Sequence, residues 1–245
     1  MAHDTDEPIE LDPTVARNAP ELAEQIFGAA VPTAEKYWDW LAGPAVVRGL
    51  VGPRETPRLW ERHIMNCGVV GECLDAGERV VDIGSGAGLP GIPLAIARPD
   101  VRITLVEPLL RRATFLQEVV DDLGLDVTVV RGRAEEPSVI ECAGGADVVT
   151  SRAVAPLDRL ARWSAPLIRS GGRLVALKGS SAAEEIATHA AAARRVGLER
   201  LTVRECGTEV LSTPTIVIIG EKTIAAKGRG AKNSKPRRHR GSERG

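Results

Sequence analysis

Three observations predict an α/β fold with a mostly parallel seven-stranded sheet and helices on both faces. Short β-branched runs alternate with longer segments of helical periodicity along most of the 245 residues. Val80-Val81-Asp82-Ile83 passes into Gly84-Ser85-Gly86-Ala87-Gly88-Leu89-Pro90-Gly91, a pattern of strand, tight glycine turn and helix start. The last two β-branched runs, Glu199–Cys206 and Thr215–Ile219, follow one another without an intervening helix and read as a closing antiparallel pair.

The elements follow in order. Residues 20–30 and 33–50 read as helices, the second carrying Tyr37, Trp38, Trp40 and Leu41 as packing residues rather than a base-stacking platform. Leu59–Leu74 reads as a further helix interrupted by Gly68 and Gly71. Strand Arg79–Ile83, a helix from Gly91 and strand Arg102–Val106 come next. In Leu109–Leu123, Leu109, Ala113, Leu116, Val120 and Leu123 share one helical face, with Arg111, Arg112, Glu118, Asp121 and Asp122 elsewhere. Strands Val127–Val130 and Asp147–Thr150 follow, then a helix near Leu157–Ala165 and strand Arg173–Leu177. Ala182–Val196 is an Ala-rich helix closed by Gly197.

This organisation predicts an acidic flexible N-terminus (1–19), a helical extension (20–74), one α/β domain (75–221) and a disordered basic tail (222–245). The chain carries a net charge of −1. From Lys222 to Gly245 there are nine Lys or Arg and one acid, or +8, so residues 1–221 carry −9. Lys235-Pro236-Arg237-Arg238-His239-Arg240 reads as an electrostatic tether for a polyanion, with Arg237 and Arg238 at its centre. No run of about 18 apolar residues predicts a membrane span. Met1–Glu7 lacks the basic and apolar regions of a signal peptide, so a cytoplasmic protein is expected. Cys67, Cys73, Cys142 and Cys206 have no C-x-x-C spacing and read as reduced core residues, with no metal site.

The glycine turn admits two cofactor readings. Gly86-x-Gly88-x-x-Gly91 with Glu107 about 20 residues on fits a dinucleotide fingerprint. Asp82-x-Gly84-x-Gly86-x-Gly88 fits the first motif of S-adenosylmethionine-dependent methyltransferases. Register favours the second. The glycine that directly follows the strand is Gly84, and five residues on stands Leu89 rather than glycine. Asp82 would repel a pyrophosphate and suits a cationic sulfonium ligand with an amino group.

Further motifs lie in fixed order around this turn. They are Leu59-Trp60-Glu61-Arg62-His63-Ile64, Asp82–Pro93, Arg133-Ala134-Glu135-Glu136, Ser151-Arg152-Ala153-Val154-Ala155 and Leu177-Lys178-Gly179. Together they resemble the bacterial RsmG (GidB) family of 16S ribosomal RNA guanine-N7 methyltransferases, over roughly residues 20–220. The resemblance implies a class I, Rossmann-like methyltransferase using S-adenosyl-L-methionine on 16S rRNA or the small ribosomal subunit, and a monomer is expected. It assigns Gly84, Ser85 and Gly86 to the methionine part of the cofactor, with Leu89 packed nearby. It assigns Glu107 to the ribose hydroxyls, Ala134 and Glu135 to the adenine end, and Arg152 to the transfer site.

Guanine N7 has an in-plane lone pair and no proton, so such a reaction needs position and electrostatics rather than a general base. The chain accordingly shows no His–Asp pair or activated cysteine in a motif. Arg62, Arg111, Arg112 and Lys178 are the candidate RNA contacts, whereas His63 reads as a packing histidine. The alternatives are an NAD-dependent oxidoreductase and a non-catalytic RNA-binding assembly factor.

Overall fold

The run Val80–Ile83 forms β1 (Arg79–Ile83), and its side chains alternate between two hydrophobic cores. Val80 packs on one face of the sheet, and Val81 and Ile83 on the other. Burial on both faces is what a central parallel strand requires, and it is why the run is continuously apolar up to Asp82. This computed structural model describes residues 17–223. The expected tail, 222–245, begins too early, because Lys222 ends the last strand and its ammonium donates to the Val196 carbonyl at 2.8 Å. Residues 224–245, including Arg237 and Arg238, and residues 1–16 lie outside the described residues.

Seven strands form one sheet in the order β3-β2-β1-β4-β5-β7-β6. The others are β2 (Arg102–Glu107), β3 (Val127–Arg131), β4 (Ala146–Arg152), β5 (Ile168–Lys178), β6 (Leu198–Cys206) and β7 (Thr215–Lys222). β7 runs antiparallel to both β5 and β6, and the remaining pairs are parallel. The expected fold class is therefore observed, including the antiparallel closing pair. Strand order reverses between β1 and β4, which opens a crevice beyond their carboxyl ends. The register pairs Ile83 with Val106, Asp82 with Thr150 and Arg152 with Leu177. It thus gathers Gly84, Glu107, Arg152 and Lys178 along one edge of the sheet.

The helices divide between the faces. α1 (Ala23–Phe27), α2 (Val31–Ala42), α3 (Pro44–Val47), α4 (Asn66–Gly68), α5 (Gly91–Ala97) and α6 (Leu110–Leu123) cover the Val80 face. α7 (Pro137–Ala143), α8 (Leu157–Ser164) and α9 (Ala182–Arg195) cover the other. The helical extension shares the first core rather than forming its own. Tyr37, Trp38 and Leu41 are buried in it, and Trp40 meets Phe115 of α6 edge-on with ring centroids 5.7 Å apart. The aromatic cluster is helix packing, as its spacing predicts.

Several local expectations are corrected. Residues 17–19, expected in the flexible N-terminus, are tied down: the Trp60 indole donates to the Arg17 carbonyl, and the Ala19 N–H donates to Glu35. The expected helix 33–50 breaks at Gly43, because Pro44 disfavours a helical residue before it and opens α3 instead. Leu59–Leu74 is not one helix. It is a π-helix (Leu59–Met65), then α4, then a 3₁₀ segment (Val69–Cys73), preceded by another 3₁₀ segment at Pro53–Arg58. Leu109 is 45% exposed and extended, so α6 begins one residue later than its apolar face suggests. α7 was not legible from periodicity, being only two turns long, and it leaves Cys142 exposed rather than in the core. β5 begins at Ile168, ahead of Gly171-Gly172, with a register irregularity against β4.

Gly91 opens α5 where helix, β1 and β2 meet. A Cβ there would lie 2.2 Å from Leu105 Cδ2 and 2.9 Å from Asp82 Oδ2. Gly91→Ala should therefore destabilise the protein by about 1–3 kcal/mol in urea denaturation, through overpacking. Gly179→Ala, whose Cβ meets nothing within 4 Å, should be close to neutral.

Candidate active site

The turn after β1 is shaped by two carboxylates. Gly84 takes φ +71°, which favours glycine, and its N–H donates to the Val106 carbonyl at 2.8 Å. Gly86 N–H then donates to Glu107 Oε2 at 3.0 Å, while Leu109 N–H donates to Glu107 Oε1, also at 3.0 Å. Glu107 is buried, and each of its oxygens keeps a second lone pair available to a ligand. Gly132 N–H donates to the Glu107 carbonyl, so the Arg133–Glu136 segment lies beside it. There Ala134 is buried and Glu135 is exposed.

Asp82 lies beneath the turn. Its Oδ2 accepts the Gly91 N–H at 3.1 Å. Its Oδ1 is buried and has no partner among the described residues. Burial pushes the Asp82 carboxyl up to about 7, opposed by the hydrogen bond from Gly91. Ser85 caps the strand end through its hydroxyl, which donates to the Asp82 carbonyl at 3.0 Å. Leu89 is half-buried against the first core. Tyr37 was expected only to pack, but its buried hydroxyl also donates to the Ala87 carbonyl at 2.9 Å, fixing the turn from the helical extension. No sequence spacing signals that bond, which spans 50 positions.

Arg152 ends β4 and faces the extension. One Nη donates to the Arg62 carbonyl at 2.8 Å, and the other lies 3.4 Å from Cys67 Sγ. Val154, two residues on, comes within 3.0 Å of where a Gly84 Cβ would be. Arg152 also lines a cleft of about 710 Å³, together with Arg62, Asn66, Lys178 and Thr215. The β6–β7 connection, Val210–Pro214, forms another wall, which sequence reading did not associate with the site. Such a volume suits a small-molecule or nucleotide-sized ligand.

The remaining candidates separate. Lys178 is mostly buried, and its ammonium is held by Glu185 at 2.7 Å and the Ala155 carbonyl at 2.9 Å. Arg62 is exposed, 3.7 Å from Glu55. Arg111 and Arg112 lie in the first turn of α6, beyond Glu107 and away from the cleft; Arg111 is exposed and Arg112 half-buried. His63 is held by Glu55 at 2.9 Å, and burial lowers its imidazole from the usual range, which fits a packing role. Cys73 and Cys206 are free thiols in contact at 3.5 Å. Among the described residues no group of three or more His, Cys, Asp or Glu is placed to hold a metal ion.

Residues 30–214 match the family of rRNA small subunit methyltransferase G, GidB. The chain belongs to this family. It is 61% identical over 216 residues to the ribosomal RNA small subunit methyltransferase G of Rhodococcus jostii, covering 88% of this chain and 92% of that protein. Its counterpart in Corynebacterium efficiens is 55% identical over 206 residues, covering 84% and 89%. Among solved structures, a methyltransferase from Pyrococcus furiosus superposes with a TM-score of 0.50 at 15% identity, covering 64% of this chain and 80% of that one. A predicted O-methyltransferase from Agrobacterium tumefaciens gives 0.50 at 18% identity with the same coverages. These likenesses show the Rossmann-like methyltransferase fold shared by the GidB family member described here.

The unpaired Asp82 oxygen, the spare lone pairs of Glu107 and the glycine turn between them fit a ligand carrying an amino group and a vicinal diol. The raised Asp82 carboxyl also makes stability pH-dependent. Between about pH 5 and 7 the folded protein keeps a proton that the unfolded chain has released, so stability falls as pH rises through that window. Relative to Asp82→Asn, which lacks this titration, the wild-type protein without ligand should lose about 2 kcal/mol over the same range, read by urea denaturation at each pH.

Proposed function

We propose that this protein transfers a methyl group from S-adenosylmethionine to N7 of a guanine in 16S rRNA. One observation carries the reading. The turn held by Glu107 follows β1 and β2, and the cleft lined by Arg152 follows β4, so both lie at the carboxyl ends of adjacent strands on either side of the switch in strand order. Membership of the family supports the methyl donor over the dinucleotide reading, and it supports rRNA as the acceptor.

When bound, S-adenosylmethionine supplies an electrophilic methyl group on a sulfonium. Glu107 would hold the ribose hydroxyls through its spare lone pairs, and Asp82, whose Oδ1 is without a partner among the described residues, would supply an acceptor for the amino group. Gly84, Ser85 and Gly86 let backbone approach the methionine part, with Leu89 at its flank. Ala134, Glu135 and the exposed Leu109 border the adenine end, where Leu109 offers an apolar face beside Glu107.

Arg152 works beside the transfer point. Its guanidinium is fixed by the Arg62 carbonyl and Cys67, so it is oriented before any acceptor arrives. The acceptor nitrogen carries no proton, so the cleft needs no base. A guanine in folded RNA must be exposed or extruded to enter it. Arg62 and Arg111 are the candidate phosphate contacts with exposed guanidinium groups, and the basic tail adds sequence-independent attraction. Lys178, held by Glu185, acts as a structural cation of the cleft. The ribosomal substrate that family membership supports places the proposed work of the protein in the cytoplasm.

Two measurements test the reading. Calorimetry should detect S-adenosylhomocysteine binding that Glu107→Gln weakens by about 1–3 kcal/mol, the cost of mispairing buried acceptors. Tight NAD binding with no response to the sulfur nucleoside would overturn the cofactor reading. With small ribosomal subunits as substrate, Arg152→Ala should lower the single-turnover methylation rate by tenfold or more, about 1.4 kcal/mol or greater, while cofactor affinity changes far less. An unchanged rate would remove Arg152 from the transfer site.

A further inference from the structure

The acceptor cleft holds a charge that does not suit a phosphate-binding surface. Its ionised lining includes Arg62, Arg152 and Lys178, and the one carboxylate among its described lining residues is Glu61. Glu61 is exposed, on the π-helix that forms the extension's wall of the cleft. Among the described residues it makes no hydrogen bond or ion pair. The neighbouring Arg62 approaches Glu55 instead, at 3.7 Å. The other acid near the cleft, Glu185, is committed to Lys178 at 2.7 Å. A carboxylate exposed and unpaired here repels an RNA backbone and leaves both its oxygens available to a group that donates hydrogen bonds.

We propose that Glu61 reads the Watson–Crick edge of the target base, accepting hydrogen bonds from guanine N1–H and the N2 amino group. This deepens the function proposed above and rests on it. A carboxylate is acceptor-only, with two oxygens side by side. Guanine alone among the four bases presents two adjacent donors on that edge. Adenine and cytosine each present a ring-nitrogen lone pair there, and uracil flanks its single N–H with two carbonyls. Enzymes that act on an extruded base read it in this way, by hydrogen bonds to its Watson–Crick edge. The geometry also agrees with the chemistry. N7 lies on the Hoogsteen edge, so a base held through N1–H and the N2 amino group leaves its N7 lone pair free for the methyl donor.

The test compares two acceptors that differ by one group. Small subunits are reconstituted with 16S rRNA carrying either guanosine or inosine at the methylated position. Inosine keeps N7 and N1–H and lacks the amino group. The full-length protein should methylate the guanosine substrate with a kcat/KM about tenfold to a hundredfold higher, as expected for losing one hydrogen bond to a charged acceptor. Glu61→Ala should lose most of its activity on guanosine, and its preference should fall to about twofold or less. Glu61→Gln, which turns one acceptor into a donor, should also lose the preference. Both variants should keep wild-type melting temperature and S-adenosylhomocysteine affinity, which separates base reading from a structural role. A guanosine-to-inosine ratio that is the same in the wild type and both variants overturns the proposal while leaving the methyltransferase reading intact. No methylation of guanosine by the wild-type protein overturns both.

Discussion

The carboxylate of Glu107 is the constraint on which the site depends. It ends β2, is buried, and accepts one N–H from the turn after β1 and one from the residue before α6. A buried charge is tolerable only when hydrogen-bonded. The two backbone donors meet that need and in doing so lock the glycine turn to the neighbouring strand. Parallel register completes the effect, because pairing Ile83 with Val106 brings both strand ends to the same level. Asp82 plays the matching part on the inner side, where the Gly91 N–H at the start of α5 occupies one of its oxygens.

The helical extension completes the site as well as covering the sheet. Its residues share the core that packs against β1 and β2, so it cannot move independently without exposing that core. It reaches the glycine turn through the Tyr37 hydroxyl and the cleft through the Arg62 carbonyl. Arg152 therefore joins sheet and extension beside the cleft. The same contact means that a change at Arg152 is felt in the position of the cleft wall as well as in its charge.

Charge in this protein is largely committed to internal bonds. Lys178 and Glu185 neutralise each other beneath the cleft, and Arg173 and Glu78 form a bidentate pair at 2.6 and 2.7 Å that fastens β5 to the segment before β1. Arg98 holds the carbonyls of Gly71 and Leu74. Against this background of paired groups, Arg62 and, among the described residues, the unpaired carboxylate Glu61 stand exposed at the cleft.

Sequence alone determined most of the sheet, because short apolar runs alternating with helical segments require parallel strands buried on both faces, as β1 and β2 are, and the two last runs without a helix between them close it antiparallel. It also marked Gly84 by the turn that follows β1, Glu107 by its place about 20 residues after the glycines, and Arg152 through the family resemblance of Ser151–Ala155; in the structure the last two close their strands. The segment Leu59–Leu74 was less legible: its composition is helical, but packing divides it into π, α and 3₁₀ pieces. α7 was too short for a periodic signal, and the exposure of Leu109 contradicted its apolar face because Glu107 captures its N–H. Tertiary structure alone decided which cations are free. Lys178 and Arg62 look alike in sequence, yet one is spent on Glu185 and the other is exposed. It also decided that residues from the extension and from the β6–β7 connection, about 150 positions apart, form one cleft. Local sequence encodes periodicity and turn chemistry, whereas pairing between distant groups depends on how the elements pack.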